Sequence, residues 1–245
     1  MALPDLVLVH GGEHAGDCWD LTVAELRRQE PELRILAVDL PGRGRTPGNL
    51  ATATIGEWVD SVVADIEAEC LGDIVIAGHS MAGVTVPGVV AKLGSARVRE
   101  MVFAAAFVPP QGQAIVDTLG GPLAVFARYA ARGGRPFKVP RLAARYAFCN
   151  GMTRQQRRQT LSKLYTESAR IGTEPVDRSG LPDDVPRTWI LTTRDRALSQ
   201  KSQRASMAAL GGVEDVIPID ACHDVMFSHP ELLAQILVER CRLRE

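Results

Sequence analysis

The sequence Asp73-Ile74-Val75-Ile76-Ala77-Gly78-His79-Ser80-Met81-Ala82-Gly83 joins an apolar run to a tight turn and the start of a helical pattern. A strand–turn–helix of this kind holds a serine on a backbone turn so sharp that only small residues fit two positions before and after it. Gly78 and Ala82 meet this requirement. The turn also presents the hydroxyl at the positive end of a helix, which stabilises negative charge. The stretch therefore predicts that Ser80 is a nucleophile.

Short apolar runs alternate with helix-like segments on both sides of this stretch. Nearly uniform apolar runs are typical of strands buried on both faces, and their alternation with helices predicts a parallel sheet covered by helices. The fold class is therefore α/β, with a mostly parallel central sheet. The predicted strands are 6–9, 34–38, 74–77, 101–105, 188–191 and 216–219, and the predicted helices are 21–29, 55–70, 82–93, 200–210 and 231–242.

The alternation stops after Ala106 and resumes at the strand that begins near Arg187. Between them, residues 109–182 contain Gly-Gly pairs, several prolines and helix-like stretches at 122–132 and 154–169, but no strong strand. We interpret residues 1–245 as a single domain and residues 109–182 as a helical cap inserted over the C-terminal edge of its sheet. The alternative is a second packing layer without a role in binding.

A serine hydroxyl is too weakly acidic to attack unaided and needs a base, which an acid must orient. In strand–turn–helix enzymes of this type the chain order is serine, acid, histidine. His223, at the end of the last strand, is the predicted base, whereas His229 begins a helix and is expected to be exposed or capping. Asp195 follows the strand 188–191 and is the predicted acid, although an aspartate paired with a neighbouring arginine is the alternative.

The tetrahedral intermediate of acyl transfer needs two hydrogen-bond donors for its oxyanion. One predicted donor is the backbone N–H of Met81, which follows the serine. The other is the backbone N–H of Gly12 in the loop after the first strand, where the missing side chain lets the backbone approach a substrate. In the same loop, His10 is expected to brace the backbone and His14 to line the floor of the pocket.

Composition limits the partners and cofactors that we expect. The formal net charge is −1, and the one arginine-rich run, Arg154–Arg158, is interpreted as a turn of a solvated helix, so we expect neither a nucleic acid nor a membrane partner. The five cysteines have no metal-type spacing, and no metal or organic cofactor is expected. The N-terminus resembles no signal peptide, which predicts a cytoplasmic location. A homodimer is left open.

Four motifs resemble one branch of a known family. The loop His10–Trp19, the turn Asp39–Gly44, the acid loop Thr192–Ser199 and the histidine loop Cys222–Pro230 are similar to those of the plant methyl esterase and hydroxynitrile lyase branch of the α/β hydrolases, which includes bacterial esterases. The likeness covers both halves of the core. It implies a triad of Ser80, Asp195 and His223, with Gly12 and Met81 as the oxyanion donors.

Two departures from that branch favour an esterase over a lyase. The lyases carry a threonine after the first loop histidine and a lysine after the catalytic histidine, whereas this sequence has Gly11 and Asp224. The group that would stabilise departing cyanide is therefore missing. If Asp224 pointed inward, its charge would raise the basicity of His223, but we expect it to face solvent.

The predicted function is hydrolysis of a small or medium apolar carboxylic ester, or a related acyl compound, through an acyl-enzyme. The alternatives are non-hydrolytic chemistry on the same scaffold (lyase, cyclase or cofactor-free oxygenase) and a ligand-binding receptor. The only partner expected is a small-molecule substrate. The aromatic side chains expected to form pocket walls are Phe107, Phe126, Tyr129, Phe137, Tyr146 and Phe148.

Overall fold

Six parallel strands form one sheet in the computed structural model, which describes residues 3–245 apart from the side chains of residues 121–123 and 126. The spatial order is β2-β1-β3-β4-β5-β6, and every neighbouring pair is parallel. The predicted α/β fold class and all six predicted strands are confirmed. The strands are β1 (Asp5–Val9), β2 (Ile35–Ala37), β3 (Ile74–His79), β4 (Val98–Ala104), β5 (Arg187–Thr192) and β6 (Asp215–Ile219).

Alternate residues of the central strands face two separate apolar layers, as the period of a strand requires. In β1, Val7 and Val9 belong to one cluster, whereas Leu6 and Leu8 belong to the other. Both layers are buried, which explains why β1 and β3 are apolar at consecutive residues rather than at every second residue.

Helices cover both faces of the sheet. Those on the core are α1 (Asp20–Gln29), α2 (Ile55–Ala68), α3 (Val86–Leu93), α9 (Gln200–Ala209), α10 (Val225–Ser228) and α11 (Pro230–Leu243). Helix α2 starts with a capping box, in which the Thr54 side chain accepts from the Glu57 amide and the Glu57 side chain accepts from the Thr54 amide. Short 3-10 helices occupy Gly16–Trp19 and Ser80–Val84.

Five helices lie between β4 and β5: α4 (Ile115–Thr118), α5 (Gly121–Gly133), α6 (Arg141–Phe148), α7 (Arg154–Ser162) and α8 (Ala169–Thr173). All of them fall within residues 109–182, which we call the inserted segment. The predicted helix 154–169 is shorter than expected and ends at Ser162. Beyond it, Phe137 and Glu167 form an antiparallel bridge, so tertiary pairing replaces the helical hydrogen bonds there.

All five cysteines are free thiols; Cys70 is exposed and the other four are buried. Among the helices of residues 3–245, none combines the length and the apolar character needed to cross a bilayer.

Candidate active site

The site forms where the strand order changes direction. The chain passes from β1 outward to β2 and then returns to the other side of β1 to form β3. Loops that leave β1 and β3 therefore diverge and open a crevice at the carboxyl ends of the strands. Val9 pairs with Gly78, so β1 and β3 end at nearly the same level, and the loops after them border the same crevice.

Ser80 stands on the turn between β3 and the 3-10 helix Ser80–Val84, with a φ of 51°. A non-glycine residue in this left-handed region costs about 1–3 kcal/mol, which the surrounding structure must offset. The Phe107 amide donates to the Ser80 carbonyl at 2.9 Å and so ties the turn to the end of β4. Gly11 packs beneath it, because a Cβ at Gly11 would lie 2.8 Å from the Ser80 Cβ.

Ser80, His223 and Asp195 form a continuous hydrogen-bonded chain. The Ser80 hydroxyl donates to Nε2 of His223 at 2.9 Å, and Nδ1–H of His223 donates to Oδ2 of Asp195 at 2.7 Å. Burial by itself would lower the pKa of His223, but the charge and hydrogen bond of Asp195, followed by the charge of Asp224, leave that pKa above its usual range. A buried histidine beside a carboxylate is thereby suited to take up a proton.

Asp195 is itself fixed by its own loop. Its Oδ1 accepts from the backbone amides of Ala197 and Leu198, each at 2.7 Å, and its Oδ2 accepts from the Thr192 hydroxyl at 3.1 Å. Neither neighbouring arginine pairs with it: Arg194 pairs with Asp220, and the Arg196 guanidinium lies over the Tyr146 ring. Asp195 therefore serves His223 alone rather than a surface ion pair.

Gly12 and Met81 lie side by side against the pocket, since a Cβ at Gly12 would be 3.5 Å from the Met81 sulfur. Met81 is in the first turn of a 3-10 helix, where the backbone N–H lacks a partner within the helix. Among the described residues, neither of the two backbone amides donates a hydrogen bond. Both are free to bind an anionic oxygen.

Glu13 connects the Gly12 loop to the inserted segment. Its carbonyl accepts from the Tyr165 amide at 2.7 Å, and its Oε1 accepts from the Val139 amide at 2.5 Å. Its own amide donates to Oε2 of Glu167 at 2.8 Å, and Glu167 in turn binds the fully buried Arg43 at 2.5 Å. Burial, with a further contribution from Glu167, raises the pKa of Glu13 to about 7.

Asp224 faces inward, contrary to the expectation from sequence. It is fully buried, and its Oδ2 accepts from Nε2–H of His14 at 3.2 Å. Burial alone would raise the pKa of Asp224, but the His14 charge holds it below its usual range, while the pKa of His14 is raised by Asp224 against the opposing effect of burial. The two side chains therefore form a buried ion pair.

His79 completes a cluster with His14 and Asp224. Burial lowers the pKa of His79 well below its usual value, and its Nε2–H donates to the His223 carbonyl at 3.0 Å. The side-chain donor atoms of the three residues lie within 4.8 Å of one another, a spacing that a metal ion could use. In this structure Nε2 of His79 binds the His223 carbonyl and Nε2 of His14 binds Oδ2 of Asp224, whereas Nδ1 of His79 and Oδ1 of Asp224 have no hydrogen-bond partner among the described residues.

The pocket above Ser80 is apolar and takes most of its wall from the inserted segment. His14, Phe107, Phe137 and Phe148 line it as expected, and Phe148 stacks on the His223 ring at 5.4 Å. The sequence did not indicate its other lining residues, which include the acids Glu13 and Glu167 and the aliphatic residues Ile115, Leu119, Val139 and Leu198.

Two of the aromatic residues expected in the pocket lie at the surface instead. Tyr129 is 76% exposed and Tyr146 is 57% exposed, whereas Ala127 and Phe148, two positions away on the same helices, line the pocket. A separation of two residues turns a side chain about 200° around a helix, so both tyrosines point away from the pocket. The Phe126 side chain lies outside the described residues.

Comparison with known proteins agrees with this architecture. Residues 6–236 match the model of the alpha/beta hydrolase family. The chain is 33% identical over 118 residues to a carbendazim hydrolyzing esterase of a Nocardioides species, and that alignment spans only 48% of each protein. It is 26% identical over 247 residues, 98% of each protein, to a probable hydrolase, R7, of a Phoma species.

A solved structure extends the comparison to the whole fold. An extracellular α/β-hydrolase from a Paenibacillus species, described as a structural and functional homologue of tobacco salicylic acid binding protein 2, superimposes with a TM-score of 0.85. It is 23% identical, and the match covers 97% of this chain and 98% of that one. With the family model matching nearly its full length, the chain belongs to the alpha/beta hydrolase family.

Proposed function

We propose that the protein is a serine hydrolase that cleaves a small or medium apolar carboxylic ester through an acyl-enzyme. The observation that carries this proposal is the chain of hydrogen bonds from the Ser80 hydroxyl through His223 to Asp195. The strained backbone of Ser80 supports it, because a serine held in the left-handed region between a strand and a helix is typical of an elbow that serves a reaction. The esterase and hydrolase names of the relatives point to the same chemistry.

In the first half-reaction, Nε2 of His223 takes the proton of Ser80 while Oγ bonds to the ester carbonyl carbon. The carbonyl oxygen becomes an oxyanion held by the amides of Gly12 and Met81. Collapse of this intermediate breaks the bond to the alcohol, which leaves with the proton from His223. In the second half-reaction, water gives a proton to His223 and attacks the acyl carbon, and Ser80 departs with that proton as the carboxylic acid is released.

We further propose that the inserted segment acts as the cap that selects the substrate. It supplies Ile115, Leu119, Phe137 and Phe148 to the wall of the pocket. An apolar wall favours an apolar acyl or alcohol group, because its burial removes hydrocarbon from water.

The decisive experiment measures hydrolysis of p-nitrophenyl esters of increasing chain length. We expect turnover by the wild type, best for short or medium chains, and a loss of at least about a thousandfold in Ser80→Ala. The matched control is Ser179→Ala, an exposed serine in the same chain, which should keep full activity.

Labelling with a fluorophosphonate separates the alternatives. A serine that is labelled at residue 80 in a protein that hydrolyses no ester, lactone or carbamate would favour non-hydrolytic chemistry. Absence of labelling in the folded wild type would contradict a reactive Ser80 and favour a receptor.

A further inference from the structure

The inserted segment has a charge distribution unlike the rest of the chain. Residues 118–166 contain neither aspartate nor glutamate, although the whole protein has a formal net charge of −1. The stretch contains ten arginines and lysines. Ten positive charges in one part of a nearly neutral protein create a local field that attracts anions. The basic residues of this stretch are Arg128, Arg132, Arg135, Lys138, Arg141, Arg145, Arg154, Arg157, Arg158 and Lys163.

Helices α6 and α7 bring half of these charges together. A surface groove between them is lined by five arginines and two leucines, and we call it the arginine groove. An adjoining depression shares three of these residues and adds Tyr146 and Arg196, so the two form one continuous surface. The arginine groove consists of Arg141, Leu142, Arg145, Arg154, Arg157, Arg158 and Leu161.

Among the described residues, the arginines of the groove have no carboxylate partner. Arg141 and Arg157 donate only to backbone carbonyls, those of Leu161 and Met152. Within the described part of the chain, none of the five arginines forms a salt bridge, whereas Lys163 at the end of the same stretch pairs with Asp20. Like charges held together without counter-charges favour binding of an external anion.

Large apolar side chains stand exposed among these arginines. Leu142 is 80% exposed at the edge of the groove, and Tyr146 lies one helical turn further along the same face of α6. The Arg196 guanidinium lies over the Tyr146 ring, 4.9 Å from its centroid. Hydrocarbon that is surrounded by cations and exposed to water is typical of surfaces that adsorb to a membrane interface.

We propose that the arginine groove, together with Leu142 and Tyr146, docks the protein onto an anionic phospholipid surface. Guanidinium groups bind phosphates in pairs of hydrogen bonds, while the leucine and tyrosine enter the boundary between headgroups and acyl chains. A nucleic acid would satisfy the arginines but leave Leu142 without an apolar partner. A second copy of this chain docked through the same face would bring two positive surfaces together. This proposal revises the expectation from sequence that the protein has no membrane partner.

The position of the groove links docking to the supply of an apolar substrate. Helix α6 presents Leu142 and Tyr146 to the outside, and its last residue, Phe148, lines the pocket above His223. One helix thus separates the proposed lipid surface from the pocket, which shortens the path of an ester that is dissolved in the bilayer.

The test is co-sedimentation of the full-length protein with vesicles of phosphatidylcholine alone or with about a third of phosphatidylglycerol. We expect binding only to the anionic vesicles, and loss of that binding as salt is raised, because screening weakens the attraction. Arg141→Gln combined with Arg145→Gln should weaken the partition coefficient on the order of thirtyfold, and Leu142→Ser about tenfold.

The matched control removes the same charge elsewhere, by Arg27→Gln combined with Arg204→Gln, two exposed arginines outside the groove. It should bind anionic vesicles nearly as well as the wild type, and an equal loss would overturn a specific docking surface. Failure of the wild type to bind anionic vesicles at low salt would overturn the proposal as well.

Binding of heparin or single-stranded DNA that depends on both arginines but not on Leu142 would assign the groove to a soluble polyanion instead. Hydrolysis of a soluble ester verifies that each variant is folded.

Discussion

Glu13 is the residue whose ionisation matters most to the proposed chemistry. It directly follows the oxyanion donor Gly12, its backbone has a φ of 57°, and its side chain is buried against the pocket. Oε1 accepts from Val139, whereas Oε2 has no hydrogen-bond partner among the described residues. The charged groups that act on it are Glu167, His14 and Lys138. With a pKa of about 7, it is neutral in weak acid and becomes a carboxylate in weak alkali.

We expect a bell-shaped pH profile of kcat/KM for ester hydrolysis. The acid limb reports His223, which must be neutral to accept the serine proton. The alkaline limb falls near pH 7, because an ionised Glu13 repels the oxyanion that develops at Gly12. Glu13→Gln keeps an acceptor for the Val139 amide but carries no charge, so its alkaline limb should move to higher pH. The control Glu69→Gln, at an exposed position, should retain the wild-type profile, and an unchanged limb in Glu13→Gln would contradict this role.

Side-chain identity and chain order were enough to predict that Ser80, Asp195 and His223 come together, because each follows a predicted strand and parallel strands end at the same edge of the sheet. The contacts that support them were beyond the sequence. Asp224 seemed free to face solvent, since its partner His14 lies 210 residues away. The pairing of Glu13 with Glu167 joins residues 154 positions apart. Such contacts depend on how the loops fold back over the sheet. The hydrophobic pattern of neighbouring residues does not predict that arrangement.

At the scale of elements, the turn that carries Ser80 depends on the packing of the 3-10 helix behind it. Gly83 lies against the backbone that follows β4, and a Cβ at this position would collide with the Phe107 carbonyl and approach Val108 to 2.9 Å. Phe107 also donates to the Ser80 carbonyl. A side chain at position 83 would therefore displace Phe107, and Phe107 is hydrogen-bonded to Ser80.

Gly83→Ala should lower the free energy of unfolding by about 1–3 kcal/mol, the usual result of adding a methyl group to a closely packed core. It should also lower kcat, because the turn that holds Ser80 must move. Urea denaturation and ester kinetics measure the two effects. Gly72→Ala is the matched control, since a Cβ there meets nothing within 4 Å. Equal stability and activity for both variants would show that the close approach at Gly83 has no consequence.

The elements themselves were predictable to different degrees. Short apolar runs placed every strand, and the signal is strongest for β1, β3 and β5, which are buried along their whole length. Inside residues 109–182, helix α7 ended early, since the residues after Ser162 pair with Glu13 and Phe137 rather than with their own helix. The run at Arg154 looked like one solvated turn because Arg141 and Arg145, on the preceding helix, join it only in the folded structure.

At the scale of the whole molecule, the buried pair of His14 and Asp224 joins the loop after β1 to the loop after β6. The raised pKa of His14 gives stability that is complete below the ordinary histidine pKa of about 6.5 and is lost as the pH rises through its folded value. The lowered pKa of Asp224 gives stability that is lost only as the pH falls below its usual acidic range. The pair therefore stabilises the fold most between these limits.

Asp224→Asn should reduce the free energy of unfolding by about 3 kcal/mol near pH 6, because it leaves a buried charge without its partner. The deficit relative to wild type should shrink as the pH rises and His14 loses its proton. Urea denaturation across this range provides the measurement. Asp60→Asn, which breaks the exposed pair with Lys92, should cost less than about 1 kcal/mol. A deficit in Asp224→Asn as small as in this control would contradict a structural role for the buried pair.

The insertion of residues 109–182 between two core strands also bears on how such proteins diversify. Ser80, Asp195 and His223 all lie outside this one contiguous stretch of the gene, so recombination can exchange the wall of the pocket and leave the reacting groups untouched. Glu167 sets the condition for such an exchange, since it holds both the Glu13 amide and the buried Arg43. An exchanged segment without an acid at this position would leave the buried Arg43 guanidinium without its carboxylate partner. Glu13, Arg43 and Glu167 are therefore expected to be inherited together, while the apolar residues of the pocket wall can vary with the substrate.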